Sequence, residues 1–143
     1  MSSELDTLLA KLAAQLQAGK LPKPQGGPLT WAQVLNHVAQ SIDCSLDGFP
    51  KHKSWLFQKV IGRAALRQFL GSGAMRHDRA AGIPGVSALV DADAAAALGR
   101  LQAAVARFAA HQGPVAAHFA YGAVTKEQYA QLHAMHLRDH LGD

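Results

Sequence analysis

The sequence predicts an all-α protein: a bundle of four main helices with an additional short helix and a long irregular loop. Three observations carry this. Hydrophobic residues make up 49% of the chain, with Ala and Leu dominant and few β-branched runs, a composition that favours helix over strand. Apolar residues recur at three- and four-residue spacing in several stretches, and none alternates as a half-buried strand does. These stretches open on capping signals and close near Gly or Pro. At 143 residues the chain reads as one domain, 1–143, long enough to bury a core.

Leu5, Leu8, Leu9, Leu12 and Leu16 share one face of a helix over residues 3–18, opened by Ser3 and Asp6 as a capping box. KLPKPQGGPLT, residues 20–30, is a linker by its Pro and Gly content. Thr30 with Gln33 forms the next capping box, with Leu29 and Val34 as a hydrophobic staple. That helix runs to about Leu46 and turns Trp31, Val34, Leu35, Val38 and Ile42 inward. After the break DGFPK (47–51), residues 54–70 form a third helix whose expected buried positions are Trp55, Val60, Ile61, Ala64 and Phe69. Residues 71–89, GSGAMRHDRAAGIPGVSAL, have no period; a loop of that length is functional or packs across an opening. An alanine-rich helix from Asp91 to His111 follows, with Leu98, Leu101, Val105 and Phe108 inward, and stops at Gly113-Pro114. The last helix opens on Thr125 and Gln128, a third capping box, with Val124 and Tyr129 as its staple.

Several classes are excluded or disfavoured at this stage. The formal net charge of +4 is basic without being extreme, and leaves an anionic ligand open. Nucleic acid is not expected, because one short basic stripe without interleaved aromatics is a weak signal. The single cysteine, Cys44, excludes an internal disulfide and fits a reducing compartment. MSSELDTLLAKLAAQ lacks a basic stretch followed by an apolar one, so no secretory signal is expected. No stretch reaches the roughly 18 apolar residues of a membrane span. A cytoplasmic protein without a membrane partner is the expectation.

Chemistry concentrates in the last helix. In LHAMHLRDH, His133, His136 and His140 fall within an arc of roughly 60° on a helical wheel, flanked by Leu132 and Leu137 and therefore inward. Burying an imidazole without partners costs about 1–3 kcal/mol, so three on one buried stripe call for compensation. A divalent ion supplies it: His136 and His140 stand one turn apart and both ring nitrogens can converge on one ion. His37, in LNHVAQS on the second helix, is the candidate third ligand. The alternative is a buried hydrogen-bonded histidine cluster, and the HExxH arrangement of zinc proteases is absent, since residues 137–139 are Leu-Arg-Asp.

The pairing of LNHVAQSIDCSLDGFP on an early helix with GPVAAHFAYGAVTKEQYAQLHAMHLRDH at the end resembles an uncharacterised branch of the DinB-like superfamily, from roughly Trp31 to His140. The resemblance implies an up-down-down-up four-helix bundle holding one divalent transition metal, usually zinc or nickel, on one histidine of the second helix and an HxxxH pair of the last. Matched by motif, those ligands are His37, His136 and His140. It also implies kinship with enzymes that use a low-molecular-weight thiol in place of glutathione.

The expected function is accordingly a metal-dependent enzyme, foremost a thiol-dependent transferase acting on a small molecule, or else a hydrolase. The alternative is a non-catalytic metal-stabilised binding or stress-response module, whose site a fourth ligand such as His133 would close. His133, Ser41, Tyr121 and His118 are candidates to contact the ligands or the substrate. Lys59, Arg63 and Arg67, spaced four apart in a stretch free of acids from 48 to 77, are candidates to attract an anionic ligand. Cys44 reads as a packed small hydrophobe, and His52, His77 and His111 as surface residues. No catalytic residue is singled out, and a homodimer is compatible with the apolar surface of five helices.

Overall fold

The computed structural model describes residues 3–21, 29–75, 82–88 and 93–141. Among them the regular elements are α1 (Glu4–Gln17), α2 (Trp31–Asp47), α3 (Trp55–Phe57), a π-helical turn (Gln58–Gly62), α4 (Arg63–Ser72), α5 (Ala94–Ala110) and α6 (Lys126–Leu141). The described residues are all-helical apart from one isolated bridge, His118 to Gly122. None of these helices is long and apolar enough to cross a membrane.

Local chemistry explains where the helices start. Ser3 and Asp6 cap each other's backbone at α1, and Thr30 and Gln33 do so at α2. At α6 Thr125 N–H donates to Gln128 Oε1 at 3.0 Å and Gln128 N–H to Thr125 Oγ1 at 3.1 Å. Each box satisfies N–H groups that the first helical turn would otherwise leave open. Asp93 caps α5, which begins at Ala94; Asp91, its expected first residue, lies outside the described residues, as do residues 22–28 of the linker. At the far end of α5, Lys126 of α6 donates to the carbonyls of Ala109 and His111 at 3.2 and 2.8 Å, a cation placed where the helix end is negative.

The apolar faces meet in one core that includes Leu12 of α1, Val38 and Ile42 of α2, Leu101 of α5 and Leu137 of α6. α2 packs against α5 and α6, and α1 packs against the same two, so the four long helices close a ring of contacts. Arg107 of α5 ties its neighbour from outside, through Asp43 and Asp47 of α2.

The third helical run departs from expectation. Trp55, Val60 and Ile61, read from the sequence as buried, are 69%, 61% and 57% exposed, with Leu56 beside them at 65%. Ala64 is exposed as well and Phe69 is half-buried. The reason lies in what the run packs against. α3 and the π turn contact no other long helix; only α4 reaches α6. The run rests instead on the loop at 118–122, with Lys53 N–H donating to Phe119 O at 2.8 Å. Gly62 makes that approach possible, because a Cβ there would lie 1.9 Å from Ala120 O. The π turn also widens the period, so the faces assigned by a 3.6-residue spacing do not carry through it.

Candidate metal centre

α2 and α6 face each other through polar side chains at two levels. At the first, His37 Nε2 and His136 Nε2 are 3.1 Å apart. His140, fully buried, completes a triangle of rings with centroids 4.9, 5.6 and 5.1 Å apart. One ring nitrogen from each of His37, His136 and His140 lies within 4.8 Å of the other two. Tetrahedral ligands at zinc distances stand about 3.3 Å apart. The three imidazoles therefore need little movement to share one ion, and could hold one. The chemistry of the set agrees, since neutral imidazole suits borderline transition metals and, among the described residues, no thiolate or carboxylate belongs to this cluster.

At the second level, Ser45 Oγ donates to Ile42 O at 2.5 Å and stands 3.1 Å from His133 Nε2. With its own hydrogen engaged, the hydroxyl accepts from His133 N–H. His133 stacks on Tyr129 at 5.5 Å and meets Phe108 edge-on at 5.0 Å. Complete burial pushes its pKa down to about 3, with a smaller contribution from His118. It is a neutral histidine anchored in the core, outside the three-histidine cluster.

A cavity of about 250 Å³ opens beside the cluster, lined among others by His37, His136, Phe49, Ile83, Phe119 and Tyr121. Ser41, His118, Tyr129 and His133 also reach it. The tyrosines contribute ring more than acid: burial raises Tyr121 to about 12 and Tyr129 further, and Tyr129 donates its hydroxyl to Ala116 O at 2.7 Å. Part of the long loop closes one side through Met75, Gly82 and Ile83, and Gln40 of α2 holds that loop by donating to Ser87 O at 3.0 Å. Residues 76–81, including His77, lie outside the described residues.

The structure thus brings together His37, His136 and His140, and sets Ser41, His118, Tyr121 and His133 around one adjoining cavity. Lys59, Arg63 and Arg67 are not among the residues lining it; the Lys59 ammonium lies over the Trp55 ring at 4.6 Å. Cys44 is half-buried and its thiol is pushed up, first by burial and then by Asp43 and Asp47, which removes the thiolate a nucleophile needs. His52 is exposed, and His111 is part-buried with Nε2 3.0 Å from Pro114 O. Sequence reasoning missed Phe49, Phe119 and Ile83 as cavity walls and Ser45 as the partner of His133. The first two sit inside the SLDGFP and HFAYG blocks, so the blocks were a signal for them; Ser45 pairs across 88 positions and left none.

Over residues 2–143 the chain matches the model of a family described as a protein of unknown function, DUF1569, and it belongs to that family. No curated protein and no solved structure matches it.

Proposed function

We propose, from this family membership and the three-histidine cluster, that the protein is a metal-dependent enzyme of the thiol-dependent transferase type on a DinB-like, up-down-down-up four-helix bundle. The ring of contacts among α1, α5, α2 and α6 supports that architecture. The observation that carries the functional reading is the position of the cluster: two of its members, His37 and His136, line the cavity, while His140 is sealed behind them. A site held by three protein ligands and open to a pocket is built for exchange, whereas a structural site is closed by four.

His37, His136 and His140 would hold the ion, zinc or nickel, through neutral rings. The ion supplies Lewis acidity, which makes a thiol or water beside it acidic near neutral pH. His133 does not close the set, because its Nε2 is engaged with Ser45. The Phe49, Phe119 and Ile83 side chains give the cavity an apolar wall beside the reacting groups. There the thiol sulfur bonds to an electrophilic carbon, the leaving group departs with its electron pair, and the thiol proton passes to solvent.

Cobalt(II) loading tests this. Adding 2-mercaptoethanol to the cobalt protein should produce a sulfur-to-cobalt charge-transfer band, absent from His37→Ala, and the zinc protein should accelerate thiol conjugation to 1-chloro-2,4-dinitrobenzene. A cobalt spectrum indifferent to thiol, with no conjugation above background, would leave a non-catalytic metal-stabilised module.

A further inference from the structure

We infer that the cavity beside the histidine cluster binds a neutral, largely apolar molecule, and that His118 donates its Nε2–H to an oxygen acceptor on that molecule. The inference rests on the enzyme reading for the identity of that molecule as the electrophilic substrate; the binding itself stands on the following geometry.

His118 lies in a loop wired to itself. Its backbone exchanges two hydrogen bonds with Gly122, His118 N–H to Gly122 O at 2.8 Å and Gly122 N–H to His118 O at 3.1 Å. Gly122 has φ +77°, a left-handed conformation suited to glycine. The tight loop turns two amides onto the imidazole: Nδ1 accepts from Ala120 N–H at 3.0 Å and from Tyr121 N–H at 3.2 Å. An atom that accepts two N–H groups carries no proton, so the proton of the neutral ring sits on Nε2.

The rings around it decide which way that proton faces. Tyr121 stacks on His118 at 4.1 Å and 12°, and Phe119 at 4.5 Å and 29°. Two rings stacked this closely take opposite faces. Phe49 meets the same ring tilted at 5.1 Å and 59°; with both faces covered and Nδ1 turned to the loop, we assign the edge bearing Nε2–H to the side of His118 that lines the cavity. Burial, and secondarily His52, lowers the His118 pKa to about 3. The ring therefore stays a donor across the physiological range, and it is not a general base.

The rest of the described lining selects for neutrality. It contains no Asp, Glu, Lys or Arg, and an anion buried among Phe49, Ile83 and Phe119 would lose its hydration without a countercharge from the described lining residues. Tyr129 and His133 have already committed their donors, to Ala116 O and Ser45 Oγ. The ligand class is therefore an apolar body with a carbonyl-type oxygen, in place of the anionic ligand that the Lys59, Arg63 and Arg67 stripe suggested.

Three probes of one shape test this: acetophenone, ethylbenzene and benzoate, titrated into metal-free and zinc-loaded protein and followed by amide chemical shifts. Acetophenone should bind both forms, about 5-fold more tightly than ethylbenzene, the worth of one ordinary hydrogen bond. Benzoate should be the weakest in the metal-free form. In His118→Phe, which keeps a stacked ring, acetophenone should fall to the level of ethylbenzene while ethylbenzene is unchanged. Imidazole nitrogen shifts of the wild type should show His118 protonated on Nε2 alone from pH 5 to 8, a readout that survives if the variant fails to fold. Equal losses for acetophenone and ethylbenzene, tight benzoate binding without metal, or a proton on Nδ1 would each overturn the inference. Protein that refuses zinc yet binds acetophenone through His118 would remove the enzyme reading and leave this site standing.

Discussion

On α6, His133, Asp139 and His140 are buried among Leu132, Met135 and Leu137, whereas on the run from Trp55 to Ile61 four large apolar side chains are more than half exposed. Hydrophobicity alone would have assigned both regions the other way. What separates them is what each packs against. α6 lies against α1, α2 and α4, so every inward position is enclosed whatever its polarity, and its polar groups then need partners: Ser45 for His133, and His37 for His136. The Trp55 run meets little beyond the 118–122 loop, and the close contact is made at Gly62, where there is no side chain. Among the described residues its apolar side chains find no surface to cover, and they stay exposed.

The contrast should appear most strongly in stability. Leu137→Ala on α6, where the side chain is fully buried, should cost about 2–5 kcal/mol in denaturant unfolding. Gly62→Ala ranks second, at about 1–3 kcal/mol of overpacking, because the loop bearing Ala120 must move away from the new Cβ. A wild-type-like midpoint for Gly62→Ala would show that the third run does not depend on that contact.

His133 should make stability sensitive to acid. His133 has its pKa lowered from 6.5 to about 3, so between those values the unfolded chain takes up the proton first. Its contribution is complete above about pH 6.5 and is lost as pH falls toward 3, at up to about 1.4 kcal/mol per pH unit. Urea unfolding of metal-free protein at pH 7 and pH 5 should show the loss, and His133→Leu should flatten it. An unchanged slope in His133→Leu would mean that His133 is not held neutral by the fold. The smallest effects belong to the other side of the comparison: Trp55→Ser and Ile61→Ser should each shift stability by no more than about 0.5 kcal/mol. A loss of several times that would place these side chains inside an interface.

The same contrast marks how far the sequence could be read. Capping boxes at Ser3, Thr30 and Thr125 were legible because both partners lie within three residues. The histidines were legible because one helical period puts His136 and His140 on one face, while His37, 99 positions from His136, came from the expectation of a facing helix and from the motif resemblance. The inward face assigned to Trp55, Val60 and Ile61 failed, since periodicity reports which residues share a face and not whether anything covers it. The wiring of His118 was hidden for a related reason. HFAYG names the residues, but only the closed loop turns Ala120 and Tyr121 N–H toward Nδ1.

If His37, His136 and His140 hold one ion between them, metal content shows it most directly. Tag-free protein purified without chelator should carry about one equivalent of a transition metal by plasma mass spectrometry. The His37→Ala, His136→Ala and His140→Ala variants should each lose it, with affinity for added zinc reduced by more than about 100-fold. Wild-type protein that holds no metal, and gains neither metal nor stability when zinc or nickel is supplied, would contradict the account and leave the three rings a hydrogen-bonded cluster between α2 and α6.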